Sequence, residues 1–213
     1  MSIEVVTNDA TALTDADLAE MASIEGAFDL DTISTCREEW VLATVARVDG
    51  ELEGFMFSTL ERIGGTPCVL IGMISVKRNA TSESTLEGLM GEAYHRALMA
   101  FPDEDVVVGS RFVSADGLLA LTKLDDVTPA PGKAAVGEER AWGRRLAKRF
   151  GVDRGYDAKA FVATNHRVGH IDIIATSDLD ADQAAMLEVL DDGQVMIVYG
   201  WTMAEDLVEL GAR

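Results

Sequence analysis

Basic residues are scarce in this sequence. Its 213 residues include 18 lysines and arginines against 37 aspartates and glutamates, for a formal net charge of -19 at pH 7. A surface with this excess of negative charge repels nucleic acid unless it carries a strong basic patch. The longest basic cluster, 140–149, lies on a predicted helix beside Glu138 and Glu139, which is typical of a solvated helix face. The sequence therefore predicts that nucleic acid is not a partner.

Cysteine is also rare, and long apolar runs are absent. Cys36 and Cys68 are too few for a disulfide scaffold and lack the spacing of a metal site. The histidines His95, His166 and His170 lack the arrangement of a zinc site. No segment reaches the roughly 18 apolar residues of a membrane-spanning helix, and the first residues lack the features of a secretory signal. We therefore expect a soluble cytoplasmic protein with no bound metal and no membrane partner.

Apolar residues, by contrast, are plentiful. They make up 48% of the chain, which is enough to bury a substantial core and excludes disorder for most of it. The length suits one large domain or one domain with an appendage. We predict a domain over 1–165 and a C-terminal extension over 166–213 that completes its sheet, the two forming one structural unit.

The first half of the chain predicts a meander of three antiparallel strands. Segment 41–48 is rich in β-branched residues and ends at Asp49-Gly50, a strong hairpin signal. A second strand is predicted over 52–60. After a turn at 64–67, the nearly unbroken apolar run 68–76 is typical of a central strand that is buried on both faces.

A long helix and a parallel strand should follow this meander. Apolar residues recur at helical spacing from about Ser82 or Ser84 to Ala100, and Pro102 ends the pattern. Segment 105–113 follows this crossover helix, so we expect it to run parallel to 68–76. Shorter signals predict the other elements: a strand at 3–6, helices at 14–28, 118–124, 136–150, 178–190 and 203–210, a loop at 125–137, and strands at 158–164, 171–175 and 194–201.

This order of elements resembles the GNAT superfamily of acyl-CoA-dependent N-acyltransferases. In that family a valine ends the fourth strand, and a leucine pair and two alanines follow on the next helix. Val76 takes the place of that valine here, and Leu89-Met90, Ala93 and Ala97 then fall at the family's spacing. The resemblance covers about residues 3–165. It implies an α+β or α/β fold with a central mixed sheet flanked by helices, in which an antiparallel meander is followed by a parallel strand pair.

The loop between Val76 and the long helix departs from the family pattern. In the family this loop carries Arg or Gln and several glycines, and its backbone N–H groups bind the pyrophosphate of coenzyme A. Here Thr81 holds the Arg or Gln position, and Ser82, Ser84 and Leu86 hold the glycine positions. Serine and threonine are small and polar, and their hydroxyls are additional hydrogen-bond donors.

The resemblance implies that acetyl-CoA or another acyl-CoA is the co-substrate. The residues it implies for binding are Ile74, Val76, Lys77, Arg78, Thr81, Ser82 and Ser84. Two of them, Lys77 and Arg78, supply positive charge in an otherwise acidic protein. The alternative is that Thr81, Ser82 and Ser84 only cap the helix, since Ser84 and Glu87 have capping-box spacing.

Amine acylation also needs a base for the ammonium and an acid for the departing thiolate. Glu53 and Glu61 on the second strand of the meander are the candidates for the base, and the alternative is that both are ordinary solvated carboxylates. The family's last helix often carries, four residues before a glycine, a tyrosine that serves as the general acid for the departing thiolate. Ala147 stands at that position before Gly151, so the usual acid is missing here. If the resemblance holds, Tyr156 or another group takes its role.

The predicted function is therefore the transfer of an acetyl or other acyl group from acyl-CoA to an amine. An acidic surface suits a small cationic amine or a basic peptide as acceptor. The missing glycines and tyrosine favour an alternative, a GNAT-fold protein that binds a ligand or assembles without catalysis. A third hypothesis is an unrelated α+β fold with the same element order. The apolar strand 194–201 also suggests a homodimer contact, with burial inside the monomer as its alternative.

Overall fold

The computed structural model describes residues 2–25, 28–164, 171–172, 181–188 and 190–211. These residues form one ten-stranded mixed sheet with helices packed against it. The strands are β1 (Ile3–Asp9), β2 (Leu42–Val48), β3 (Glu51–Ile63), β4 (Thr66–Val76), β5 (Val106–Phe112), β6 (Asp125–Thr128), β7 (Tyr156–Asp157), β8 (Val162–Thr164), β9 (Ile171–Asp172) and β10 (Gln194–Thr202). The sheet order is β1-β2-β3-β4-β5-β10-β8-β7, with β6 paired to β10 and β9 paired to β4.

Six α-helices connect or flank these strands within the described residues. They are α1 (Asp15–Ala22), α2 (Leu30–Glu39), α3 (Ser82–Ala100), α4 (Gly137–Arg149), α5 (Ala181–Leu187) and α6 (Ala204–Leu210), with 3-10 turns at Ala10–Ala12, Ala115–Leu121 and Asp153–Gly155. None of the helices in the described part of the chain combines the length and apolar character that crossing a membrane requires.

The predicted meander is confirmed. β2 and β3 are joined at Asp49 and Gly50, which both have the positive φ angles that a tight hairpin turn demands, 49° and 89°. β3 pairs antiparallel with β4 in turn. Every residue of β4 from 67 to 76 is buried, as expected for a strand covered on both faces.

The predicted parallel pair is confirmed as well. α3 crosses over the sheet from the end of β4 to the start of β5. Of its predicted apolar face it buries Leu86, Leu89, Met90, Ala93 and Ala97, and Leu98 is half-buried. β4 and β5 then run parallel through three residue pairs, the last being Leu70 with Gly109. The third hypothesis, an unrelated α+β fold, would have been supported by segments 68–76 and 105–113 that are not parallel neighbours, and this pairing removes that support.

The region between β1 and β2 contains a helix that the sequence did not predict. α1 begins at the predicted cap, where the Thr14 hydroxyl accepts a hydrogen bond from the Asp17 N–H at 3.2 Å. It ends at Ala22 rather than near residue 28, and α2 follows from Leu30. α2 buries only Ile33 and Cys36, so its apolar pattern is weak. Its start is marked by the Asp29 carboxylate, which accepts a hydrogen bond from the Thr32 N–H at 2.8 Å.

Two further differences concern the later part of the chain. Segment 125–137 was expected to be a loop, but its first four residues form β6, which pairs with β10. The predicted strand 158–164 forms only at 162–164, preceded by β7. Residues 173–175 of the predicted strand 171–175 and parts of the predicted helix 178–190 lie outside the described residues. β10 lies inside the sheet between β5 and β8 and six of its residues in a row are buried, so the reason for expecting a dimer contact at this strand is removed.

Candidate functional site

The two parallel strands separate immediately after their last pair. On the other side of β4, Ser58 pairs with Ile71 and Phe57 pairs with Met73, so Gly72 has no partner on β3. A residue inserted in this way is a β-bulge, which bends its strand. The bulge lies two residues beyond Leu70, where pairing with β5 ends. We therefore attribute the opening between the ends of β4 and β5 to this bulge.

A tryptophan covers the bulge. The indole of Trp40 lies so close to Gly72 that a β-carbon built on Gly72 would be 1.9 Å from its Cε2 atom. Trp40 is 5% exposed, its ring centroid is 6.2 Å from that of Phe150, and the Arg149 guanidinium lies 5.5 Å above its ring. Only glycine leaves room for this packing at the position where β4 bends.

Protein groups already occupy part of the opening. The Ser110 hydroxyl donates a hydrogen bond of 2.9 Å across it to the carbonyl of Ile71. Further along, β9 pairs in parallel with Ile74 and Ser75. Arg111, the next residue of β5, lies with its guanidinium 5.1 Å above the ring of Phe150. β9 therefore pairs with part of the β4 edge that lies beyond the pairing with β5.

The loop from Lys77 to Thr81 joins this end of β4 to α3, and we call it the β4–α3 loop. Its residues surround the carboxylate of Glu53, which is 8% exposed. That carboxylate accepts hydrogen bonds from Lys77 Nζ at 3.2 Å, from Thr81 Oγ1 at 3.2 Å and from the side-chain amide of Asn79. The Glu53 carbonyl also accepts one from the Lys77 N–H at 2.8 Å.

The hydroxyls that were expected to face a phosphate bind the protein instead. Ser82 Oγ is 2.6 Å from the Lys77 carbonyl and accepts a hydrogen bond from the Asn79 N–H at 2.9 Å. Thr81 Oγ1 contacts Asn79 Oδ1 as well as Glu53. Ser84 Oγ donates to the Thr81 carbonyl at 3.0 Å. These hydroxyls shape the β4–α3 loop, and donors for a ligand must come from the backbone.

The start of α3 provides such donors. No side chain caps this helix at Thr81. Among the described residues, the N–H groups of Ala80, Glu83 and Ser84 have no protein acceptor, and all three residues are exposed. Free N–H groups at a helix N-terminus, with the positive end of the helix dipole, bind anions. The start of α3 therefore offers free backbone donors to an anion, although Glu83 adds one negative charge beside them.

Asn79 is the residue of this site that sequence analysis missed. Its side-chain oxygen accepts a hydrogen bond from the Thr81 N–H at 2.9 Å, the pattern of an Asx turn, while its amide nitrogen reaches Glu53. An asparagine three residues before the first residue of a helix, after the lysine and arginine that follow a strand, is the local signal that could have identified it.

The three predicted catalytic residues do not lie together. Glu61 is at the far end of β3, roughly 26 Å from Glu53 at the rise of a β-strand. It pairs with Cys68 and accepts a hydrogen bond of 2.7 Å from Arg149. Tyr156 is in β7, four strands from β4 and thus roughly 19 Å away across the sheet.

Tyr156 is packed beneath α4. Its hydroxyl is buried without a hydrogen-bond partner among the described residues, and a β-carbon on Gly143 would lie 2.1 Å from it. Burial, followed by the nearby Tyr199, raises the pKa of this hydroxyl. Ala147, which stands where the family often has its tyrosine, is fully buried in the same helix. The roles assigned to Glu61 and Tyr156 stay predictions, on residues that lie away from the opening.

An open groove lies elsewhere on the described residues. It measures about 600 Å³ and lies along the C-terminal half of α3, lined by Val41, Leu42, Leu60, Glu92, His95, Arg96, Met99 and Ala100. Its charged residues Glu92 and Arg96 pair with each other at 3.0 Å. It is separated from the β4–α3 loop by the first half of the helix, so we do not include it in the candidate site.

Neither cysteine is available as a nucleophile. Burial raises the pKa of both Cys36 and Cys68 to about 11 from an ordinary value of 9.0. At pH 8 each thiol should therefore form roughly 100-fold less thiolate than an unperturbed cysteine. We expect both to resist 5,5′-dithiobis(2-nitrobenzoate) for hours in the native protein and to react within minutes in 6 M guanidinium chloride. A fast native reaction of one thiol would show that it is accessible.

Neither a protein-family model nor a curated protein matches this chain. Solved structures do match it. A GNAT-family acetyltransferase from Brucella melitensis, in complex with acetyl-CoA, is 18% identical over 49% of this chain and 75% of its own, with a TM-score of 0.35. A GNAT-family protein from Desulfovibrio desulfuricans is 13% identical over 94% and 99%, with a TM-score of 0.39. Naa50 from Arabidopsis thaliana, bound to a bisubstrate analogue, is 12% identical over 92% and 97%, with a TM-score of 0.32.

The fold can be assigned from the topology of this chain. An antiparallel meander ends in a bulged fourth strand, a crossover helix leads to a parallel fifth strand, and the two parallel strands part at their ends. The helix begins beside that opening with free N–H groups. This mixed sheet, with helices on its faces, is a GNAT-like fold, as the sequence predicted.

Proposed function

We propose that this protein transfers an acyl group from an acyl-CoA to an amine. The observation that carries the proposal is the position of the free N–H groups at the start of α3, directly beside the opening between β4 and β5. An anion bound at the helix start and a chain laid along β4 would together fit a molecule with a pyrophosphate and a long extended arm. Acyl-CoA has this shape and carries the reactive thioester at its end.

Each part of the site has a task in this proposal. The N–H groups of Ala80, Glu83 and Ser84 bind the pyrophosphate, with positive charge from Lys77 and Arg78. The backbone of β4 near Ile74 and Val76 orients the acyl end. The amine nitrogen attacks the thioester carbonyl, a C–N bond forms, and the C–S bond breaks. The amine loses a proton, and the thiolate of coenzyme A takes one up.

The β9 pairing has a consequence for this binding mode. β9 bonds to β4 at Ile74 and Ser75, on the edge where the arm of acyl-CoA would lie. Two partners cannot use the same backbone groups, so binding requires that these two residue pairs open.

The acceptor is an amine of small size or the amino group of a peptide. The net charge of -19 favours a cationic acceptor, because opposite charge raises the local concentration of the substrate. A peptide acceptor is consistent with the ligand of the Arabidopsis Naa50 structure, the bisubstrate analogue CoA-Ac-MVNAL.

Calorimetric titration with acetyl-CoA tests the proposal. We expect saturable binding with a Kd in the range of about 1–1000 μM, similar binding of desulfo-CoA, and weaker binding of adenosine 3′,5′-bisphosphate, which lacks both the pyrophosphate and the arm. A screen of amines and basic peptides, with thiol release as the readout, then tests turnover. No binding of acetyl-CoA at millimolar concentration would refute the proposal, and binding without turnover of any acceptor would favour a non-catalytic ligand-binding protein.

A further inference from the structure

Glu53 lies beneath the β4–α3 loop and touches it at both ends and in the middle. Its carboxylate bonds to Lys77 at the start of the loop, to Asn79 in the centre and to Thr81 at the helix cap, and its carbonyl holds the Lys77 N–H. Resting on the acyl-CoA function proposed above, we infer that Glu53 is a positioning residue that holds this loop in its anion-binding shape, and that it is not the base of the reaction.

The bonds inside the loop depend on this anchor. Asn79, held by Glu53 through its amide nitrogen, uses its side-chain oxygen to hold the Thr81 N–H and its backbone N–H to reach Ser82. The loop residues 78–80 are exposed. Apart from Glu53, the bonds found for Asn79 and Thr81 run within the loop or to the start of α3. A loop that is ordered before binding binds its ligand more tightly, because binding then loses less conformational entropy of the loop.

The environment of the carboxylate agrees with this role. Burial alone would raise the pKa of Glu53, but the hydrogen bonds from Asn79 and Lys77 and the charge of Lys77 outweigh it, so the pKa lies below its ordinary value. Glu53 is therefore ionised at neutral pH. A carboxylate whose oxygens already accept hydrogen bonds from three side chains is a weak base and has little room for a substrate proton.

Two effects of removing this charge oppose each other. Neutralising Glu53 would leave Lys77 unpaired, which favours a phosphate nearby. It would also weaken the hydrogen bonds from Lys77, Asn79 and Thr81 to this side chain, because a neutral acceptor forms weaker hydrogen bonds and the amide group of Gln cannot accept at both positions. The ammonium is about one-third exposed, so its charge is screened by water, whereas the carboxylate is nearly buried. We expect the loss of loop order to dominate.

The test is Glu53→Gln, with Glu104→Gln as the matched control. Glu104 also pairs with a basic side chain, Arg62 at 2.6 Å, but it is on the surface and its partner is at the far end of β3. We expect Glu53→Gln to raise the Kd for desulfo-CoA and the KM for acetyl-CoA about tenfold, with kcat changed less than threefold and the pH profile of kcat unmoved. Glu104→Gln should change none of these.

Hydrogen exchange in the free protein gives a readout that needs no ligand. Peptides covering 77–82 should exchange faster in Glu53→Gln than in the parent protein or in Glu104→Gln. If Glu53→Gln does not fold, Asn79→Ala removes the hydrogen bond from the centre of the loop to Glu53 together with the bond from the Thr81 N–H, and it should raise the Kd about threefold. Unchanged affinity and exchange in Glu53→Gln would overturn the inference. So would a 100-fold loss of kcat with unchanged KM and loss of the rise in kcat from acidic to neutral pH, since that rise reports the deprotonation of a general base. If the parent protein binds no acyl-CoA and Glu53→Gln still exchanges faster than the parent, the positioning role is supported and the proposed function is refuted.

Discussion

Replacing Gly72 with alanine should lower the free energy of unfolding by about 3 kcal/mol, the upper part of the range for overpacking a core. The new methyl group would lie 1.9 Å from Cε2 and 2.3 Å from Nε1 of Trp40. The indole cannot retreat easily, because it is buried against Phe150 and lies beneath the guanidinium of Arg149. Either Trp40 leaves its position or β4 shifts, and both disturb the opening. Urea denaturation followed by tryptophan fluorescence measures the loss.

Gly137→Ala is the control for this variant. Gly137 is exposed at the first position of α4, and a β-carbon there meets no atom within 4 Å. We expect its stability to change by less than about 0.5 kcal/mol. The double variant Gly72→Ala/Trp40→Ala should be more stable than the sum of the single effects predicts, because the methyl group occupies space that the indole leaves. An unchanged urea midpoint for Gly72→Ala would contradict the packing of Trp40 on the bulge.

The sequence predicts the strands of the meander and the crossover helix because their signals are local. Asp49-Gly50 specifies its turn, and the apolar spacing of α3 specifies its buried face. Gly72 is different. It lies within an apolar run that indicates a buried strand, and the bulge depends on how β3 pairs with β4. A glycine inside a strand was the available hint of a bulge or a close approach, but nothing local names Trp40 as the neighbour.

The candidate site was predictable in position but not in its contacts. The spacing from Val76 to Leu89-Met90 located the β4–α3 loop correctly at the start of the long helix. The partner of that loop could not be deduced. Ile63 pairs with Thr66 at the β3–β4 turn. If this register continued unchanged along both strands, Glu53 would lie opposite Val76. The bulge moves the register by one residue and brings Glu53 opposite Lys77 instead. Because one residue of register exchanges the two faces of a strand, the role of Glu53 depends on the bulge.

The second large effect expected is on binding. Lys77→Glu should raise the Kd for acetyl-CoA by about 30-fold, since it changes the local charge by two units beside a pyrophosphate and each tenfold is about 1.4 kcal/mol. It also replaces the ammonium that lies 3.2 Å from Glu53 with a second carboxylate. The two carboxylates repel each other, which disturbs the β4–α3 loop in addition to repelling the ligand. Calorimetric titration of both proteins with acetyl-CoA measures the change.

Arg62→Glu separates this local effect from the overall charge. Arg62 forms an exposed pair with Glu104 at 2.6 Å, and it makes the same change of two charge units roughly 30 Å along β3 from Glu53. We expect its Kd to stay within twofold of the parent protein, because exposed charges more than about 10 Å apart are largely screened at 0.1 M salt. Raising the salt concentration to 0.5 M should narrow the difference in Kd between Lys77→Glu and the parent without abolishing it, since salt screens the repulsion but does not restore the hydrogen bond from Lys77 to Glu53. Equal losses of affinity in the two variants would mean that acetyl-CoA responds to the net charge of the protein and that its phosphates bind somewhere other than the β4–α3 loop.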